Sequence, residues 1–365
     1  MRAKPFFLNP FSFFFLFLPL TPSRNHSGSV KGGSMNLAVL NPGGKDREQH
    51  FRDYAGKPDD HVHAPVNHHA YAACTAGAFF DDAKAIPASH SKVLLLLRRD
   101  LKKCLEAVGE LKAAGKKVAV TWKESGAHQV ADQLKSAQSM QLLHEVCSLA
   151  DGAISSTPEM LAQYQAAGAR HLEFIPTPYP VDDVRWDFSI PPTERKGIFI
   201  GTREWDVPSR NHLAALLTSV SFDEPVTVVN EDGGEGRTKL HLLGLKQLQI
   251  LEGRRPYTQY LHEMAKHRLV YQLDASAVPG QVAGDALLCR IPCVGGNSAV
   301  EQLAFPKLCG SGGKTGDSAE HVKRLLSEPS LCIEEAATAH KLAMEKLSFT
   351  SVASRLSHFF EMIGR

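Results

Sequence analysis

The chain has 365 residues, 43% of them apolar and 22% charged, with a formal net charge of +2. At roughly 100–200 residues per domain, this length favours two folded domains with ample core. The near-neutral charge offers no electrostatic basis for a nucleic-acid partner, and none is expected. The seven cysteines (Cys74, Cys104, Cys147, Cys289, Cys293, Cys309 and Cys332) are odd in number and contain no Cys-x-x-Cys pair. That pattern argues against a disulfide framework or zinc ribbon and suits a reducing compartment, with the thiols packed as small buried groups.

Residues 1–34 begin with a basic tetrapeptide, Met1–Lys4, followed by a Phe- and Leu-rich run, Pro5–Leu20, and a polar stretch. This resembles a secretory signal. However, Asn9, Pro10 and Ser12 interrupt the run, no small-residue cleavage site follows, and it is short for a spanning helix. Two explanations compete: a targeting or anchoring segment, or an upstream-extended start with Met35 as initiator. The second is favoured, so a cytoplasmic location is expected, with peripheral membrane association if 1–34 are translated and retained.

From Met35 onward strands and helices alternate. Strand-like runs occur at Asn36–Asn41, Lys92–Leu97, Lys117–Trp122, Gly152–Ser155 and His171–Ile175. Between them, Asp100–Ala114 carries Leu101, Cys104, Leu105, Val108 and Leu111 at helical spacing and ends at Gly115. Gln129–Leu149 reads as a second long helix, and Pro158–Ala167 as a third with proline in its first turn. Composition shifts at the proline-dense Pro176–Pro180 and again at Pro191-Pro192, as at a domain linker. Strands follow at Lys196–Thr202, Pro225–Asn230, Arg268–Leu273 and Pro292–Val294, then amphipathic helices near Ile333–Leu347 and Val352–Ile363. The expected organisation is an N-terminal extension (1–34), a Rossmann-like α/β domain (35–180), a linker (181–195), a second Rossmann-like domain (196–350) and a closing helix (351–365). Two doubly wound sheets that face each other place their strand carboxyl ends, where ligands bind, on a shared cleft.

Polar groups concentrate just after strands. Gly43-Gly44 follow the first strand and can offer backbone N–H groups to an anion. Lys123-Glu124-Ser125-Gly126-Ala127-His128 follow Val118–Trp122, with groups suited to act as base or electrophile. Val66–Tyr71, beside His61 and His63, is rich in histidine. Without a partnered Cys or carboxylate at ligand spacing no metal is expected, and a single imidazole on a cleft loop, His69, is preferred. Gly201–Asn211 carries Arg203 and Arg210 at a strand–helix junction, a pairing suited to a diphosphate. Val278–Gln302 reads as a loop at Gly280, a helix bearing Asp285 near its start, a buried strand after Pro292, and a Gly295-Gly296 turn. There, Asp285 can meet ribose hydroxyls while the glycines let a ligand lie against backbone. Gly310–Thr315 looks like the tail of a P-loop. The glycine needed five residues before Gly313 is Leu308, and no β-rich strand leads in. A GxGxxG fingerprint is also absent, which disfavours a nicotinamide dehydrogenase.

These features together resemble the group 1 family of GT-B glycosyltransferases. The matching elements are Gly43-Gly44 after the opening strand, Gly201 and Arg203 after the first strand of the second half, and Asp285-Ala286 with Pro292 seven residues beyond Asp285. The family usually has Glu at the Asp285 position, another Glu where this chain has Ala277, and Gly where it has Arg290, so the resemblance is to a divergent member. It implies a GT-B fold whose last helix crosses back to the first domain, and a metal-independent hexosyltransferase-type activity without a cofactor. The donor is then a nucleotide-diphospho-sugar, held by Arg203, Arg210, Gly280, Asp285, Gly295 and Gly296. The acceptor, a carbohydrate or lipid-linked molecule, is met by Gly43, Gly44 and the catalytic candidates His69, Lys123 and Glu124. Alternatives from other classes are a non-catalytic nucleotide-sugar-binding module, and an epimerase or phosphorylase on the same fold. Use of nucleotide donors is a further reason to expect Met35 as the start.

Overall fold

The computed structural model describes residues 35–364 except 60–61, 202–206, 232–233, 245–246 and 311–314. The first sheet contains β1 (Ala38–Leu40), β2 (Gln49–His50), β3 (Ala78–Phe80), β4 (Lys92–Leu97), β5 (Lys117–Trp122), β6 (Gly152–Ser155) and β7 (Leu172–Phe174), in the order β2-β3-β1-β4-β5-β6-β7. All pairings are parallel except that of the edge strand β2 with β3. Strands β4 and β5 run in register from Lys92↔Lys117 to Leu97↔Trp122. Val93–Leu97 are completely buried, which is why this strand reads as an unbroken apolar run: helices cover both faces of the sheet. Those helices are α1 (His68–Ala73), α2 (Leu101–Ala113), α3 (Ala127–Gln133), α4 (Ala137–Leu149) and α5 (Leu161–Ala166). Asp100 caps α2 by accepting from the Lys103 amide at 3.1 Å, and Gly115, at φ +71°, follows its C-terminus.

The second sheet is wholly parallel: β8 (Ile198–Ile200), β9 (Val226–Asn230), β10 (Leu248–Glu252), β11 (Leu269–Tyr271) and β12 (Cys293–Val294), ordered β10-β9-β8-β11-β12. Its helices are α6 (His212–Ser219), α7 (Gly234–Leu242), α8 (Tyr257–Ala265), α9 (Gln281–Leu288), α10 (Ala299–Ala304), α11 (Thr315–Ser327) and α12 (Pro329–Lys346). The last helix, α13 (Phe349–Met362), returns to the first sheet. Arg355 reaches Glu173 at 3.2 Å and the carbonyl of Phe174, and the Phe359 ring packs against Gly152. At the crossing, the Tyr179 amide donates to the Leu347 carbonyl at 2.8 Å.

Several expected elements are redrawn. The stretch 129–149 is two helices, because Ser136 opens a new one by accepting from the Ser139 amide at 3.0 Å. The histidine-rich stretch is not a loop throughout: His68 and His69 begin α1. Strands β3 and β10 and helix α11 also appear where no element was expected. Every cysteine is a free thiol, and five of the seven are buried. Among the described residues no helix is long and apolar enough to cross a membrane.

Two glycines make opposite predictions. Gly284 lies in the buried helix α9, where a Cβ would overlap the Tyr179 ring, itself wholly buried. Gly284→Ala is therefore expected to cost about 1–3 kcal/mol or more through overpacking. Gly109, inside α2, has open space around it, so Gly109→Ala should stabilise by about 0.5–1 kcal/mol. Urea unfolding midpoints of the two variants check both signs.

Candidate functional site

In each sheet the strand order reverses beside its first strand, between β1 and β4 and between β8 and β11, and ligands in such sheets gather outside the strand carboxyl ends at these points. A cleft of about 760 Å³ opens there. It is lined from the first sheet by Asp46 after β1, Leu96 in β4 and Lys123 after β5. From the second sheet come Gly201 after β8, Glu231 after β9, Gly253 after β10 and Asp274 after β11. Contacts join the two walls: Asn67 donates to Gln281 Oε1 at 2.9 Å, and the Ala127 amide donates to the Ser276 carbonyl at 3.3 Å.

On the first wall, the expected residues His69, Lys123 and Glu124 all line the cleft. Lys123 Nζ lies 3.2 Å from Asp46 Oδ2, which also accepts from Asn41 at 3.0 Å. Burial raises the Asp46 pKa, but Lys123 and Asn41 outweigh it and hold the carboxyl below the usual carboxylate range. His69 stacks on Phe79 at a centroid distance of 3.9 Å, and His63 stacks on His69 at 4.9 Å. Burial, then His63, pushes the His69 pKa down to about 3. Its neighbour His68, set 3.1 Å from the Trp122 carbonyl, is pushed down to about 4, again chiefly by burial. Both imidazoles are therefore neutral near pH 7, able to accept as well as donate.

The Gly43-Gly44 turn does not line the cleft. Its amides are already used: Gly43 N–H donates to the Asp81 carbonyl and Gly44 N–H to the Asn41 carbonyl, each at 2.9 Å. The expectation that they hold an anion is corrected accordingly. They serve the turn, with the Lys103 side chain packed over Gly43.

On the second wall, Arg210 and Gly280 line the cleft. The Arg210 guanidinium is ion-paired with Asp274, whose other oxygen accepts from the Ser276 amide at 2.8 Å. Gly280 sits at φ +102° as the cap of α9, so that helix directs its N-terminus at the cleft, where Gln281 and Val282 also lie. Gly295 and Gly296 lie away from the lining. The Gly295 amide donates to Leu308, and Gly296 rests against the buried Glu301 carboxyl, which caps α10 and is held above the ordinary carboxylate range by its burial. Arg203 falls outside the described residues.

Asp285 is the main correction. It is 0% exposed and does not reach the cleft, so it is not placed to meet a ribose. One carboxylate oxygen instead accepts from the Tyr257 hydroxyl. Tyr257 does line the cleft, and it opens α8 directly after Arg254, Arg255 and Pro256. Both arginines are exposed cleft residues that form no ion pair with any described residue. Sequence reasoning missed them because β10, the strand that delivers them, was not anticipated. Asp46, His68 and Asp274 were missed as partners because nothing local marks the pairing of residues 77 or 64 positions apart. Ala277, where the resembling family carries Glu, has φ +49° and donates its amide to Asn297 Oδ1 at 3.0 Å.

No family model matches this chain, and no curated protein matches it. Solved structures do. A sucrose-phosphate synthase from Thermosynechococcus elongatus superposes with a TM-score of 0.55 at 13% identity, covering 76% of this chain and 74% of that one. A structure of trehalose-6-phosphate from E. coli bound with UDP-2-fluoro glucose gives 0.58 at 11% identity, over 74% of this chain and 73% of that one. A variant of S. aureus TarM, in complex with fondaparinux, alpha-GlcNAc-glycerol and UDP, gives 0.57 at 12% identity, over 73% of this chain and 55% of that one. The fold they share with this chain is GT-B: two parallel-sheet α/β halves with a cleft between them.

Proposed function

We propose that this chain is a glycosyltransferase that takes its sugar from a nucleotide-diphospho-sugar. The observation that carries the reading is the distribution of charge around the cleft. The second wall presents Arg254 and Arg255 unpaired, Arg210 held in place by Asp274, and the N-terminus of α9. In glycosyl transfer from such a donor, negative charge grows on the departing diphosphate. Cations and helix dipoles already fixed in position lower the barrier without having to reorganise. The first wall presents the neutral His68 and His69 imidazoles, amides and hydroxyls suited to orienting an acceptor. The solved structures of the same fold that hold UDP or a UDP-sugar are consistent with this assignment. Arg254 and Arg255 join Arg210 and Gly280 as donor residues. His69, Lys123 and Glu124 remain the acceptor-side candidates, with Asp46 fixing Lys123.

A second reading, donor binding without transfer, is favoured by Ala277, which has no carboxylate to offer where the resembling family carries Glu. A thermal-shift series with UDP, GDP, ADP and dTDP tests what the two readings share. A ligand at a hundred times its Kd stabilises by about 2.7 kcal/mol. One nucleoside diphosphate is expected to raise the melting midpoint of the wild type, and to lose most of that effect in the Arg254→Ala/Arg255→Ala double variant. If none of the four shifts the wild type, the donor assignment fails. Release of nucleotide from the matching nucleotide sugar then separates transferase from binding module.

A further inference from the structure

We infer that the acceptor group entering this cleft is an uncharged polyhydroxyl ring and not a sugar phosphate. The inference rests on the transferase reading, with the donor on the second wall. Asp46, Lys123 and Glu124 are the charged side chains of the first wall among the described lining residues. Lys123, the one Lys or Arg among those described residues, is ion-paired with Asp46 at 3.2 Å, which leaves the exposed Glu124 as the unbalanced charge of the three.

A phosphate ester carries close to two negative charges and is recognised by charge-assisted donors, most often guanidinium groups or unpaired ammonium groups. The unpaired arginines, Arg254 and Arg255, stand on the opposite wall. The Gly43-Gly44 turn, expected to offer backbone donors, has its amides occupied. A phosphate on the acceptor would therefore face Glu124 and Asp46 with no free Lys or Arg among the described residues of the first wall to meet it.

What the first wall does offer matches a neutral sugar. The Phe79–His69–His63 stack forms an aromatic column at the cleft. His69 Nε2 is buried and has no hydrogen-bond partner among the described residues, so a ligand hydroxyl would satisfy a polar atom otherwise left unpaired. Glu124 can accept from a second hydroxyl, and Gln129 also lines this wall. Burial lowers the His68 and His69 pKa values, so these two add no cation that would favour an anion.

The test uses the full chain with the nucleotide sugar selected by thermal shift, and acceptors supplied as matched pairs, each hexose or methyl hexoside beside its phosphate. Transfer to uncharged members is expected, with kcat/KM at least about tenfold above that of the phosphates. Asp46→Asn, which releases Lys123, is expected to narrow that gap by raising activity on the phosphates. The inference is overturned if the phosphate members are the better acceptors, or if the enzyme binds and hydrolyses the donor yet transfers to no uncharged member. Failure of the parent reading looks different: either no nucleotide binds at all, or the nucleotide sugar binds and no nucleotide is released from it.

Discussion

Lowering the pH from about 6.5 to about 4.5 is expected to destabilise the folded protein through its buried histidines, and His68 is the one whose substitution tests this. In the unfolded chain a histidine takes up its proton near pH 6.5. In the fold, burial pushes His68 down to about 4, and His69 and His212 to about 3. Between those limits the unfolded state binds more protons than the native one, so stability rises with pH. The contribution is fully present above about pH 6.5 and is lost as pH falls toward the folded values. At about 1.4 kcal/mol per pKa unit, His68 alone is worth on the order of 3 kcal/mol. Asp46, Asp183 and Asp187, whose pKa values are lowered, act in the same direction but only below about pH 4. Glu301, raised by burial, acts in the opposite direction and offsets part of the loss. Urea unfolding at a series of pH values measures the slope. His68→Gln keeps an amide donor for the Trp122 carbonyl but cannot ionise, and should flatten it. Equal slopes in wild type and variant would remove His68 from this account.

That histidines should be buried was hidden in the sequence for a physical reason. His68-His69-Ala70-Tyr71 looks polar by composition, yet His68, Ala70 and Tyr71 all pack inward from α1. Strands such as Lys92–Leu97 and Pro225–Asn230 were legible because a strand covered on both faces must be apolar throughout. By contrast, β3 is three residues long and β10 has only Leu251 buried, so neither presents such a run. The site was legible only as a set of strand ends. Lys123 and Arg210 could be named from that position, but their carboxylate partners, Asp46 and Asp274, come from other crossovers and are brought near by the strand order. Asp285 carried a warning that could have been read. Every residue of α9 from Ala283 to Leu288 is buried, and a charged side chain in a helix that is apolar on all sides belongs to the interior.

Asp285→Ala should therefore weaken nucleotide binding although Asp285 does not line the cleft. Its carboxylate accepts from the Tyr257 hydroxyl, and Tyr257 is the first residue of α8, immediately after the Arg254–Pro256 segment. The Tyr257 ring also packs near Trp186 and Tyr260, each at a centroid distance of 6.3 Å, so its position is set by contacts on two sides and by the carboxylate beneath. Removing that carboxylate leaves the phenol without its acceptor, at a cost of about 1–3 kcal/mol. If the strain is relieved by movement of the Arg254–Tyr257 segment, donor affinity should fall on the order of tenfold to a hundredfold, as a raised KM with a smaller change in kcat. Tyr257→Phe breaks the same hydrogen bond from the other end and should reproduce much of the loss. The double variant should be little worse than either single one, the non-additivity expected of residues acting as a unit. Calorimetric titration of the nucleotide at a temperature where all three variants stay folded provides the measurement. Should Asp285→Ala abolish binding while Tyr257→Phe leaves it intact, Asp285 must touch the ligand directly, which requires a cleft conformation with α9 turned outward. Should both variants bind as tightly as wild type, the Tyr257–Asp285 pair serves only the core, and Arg254 and Arg255 are positioned without it.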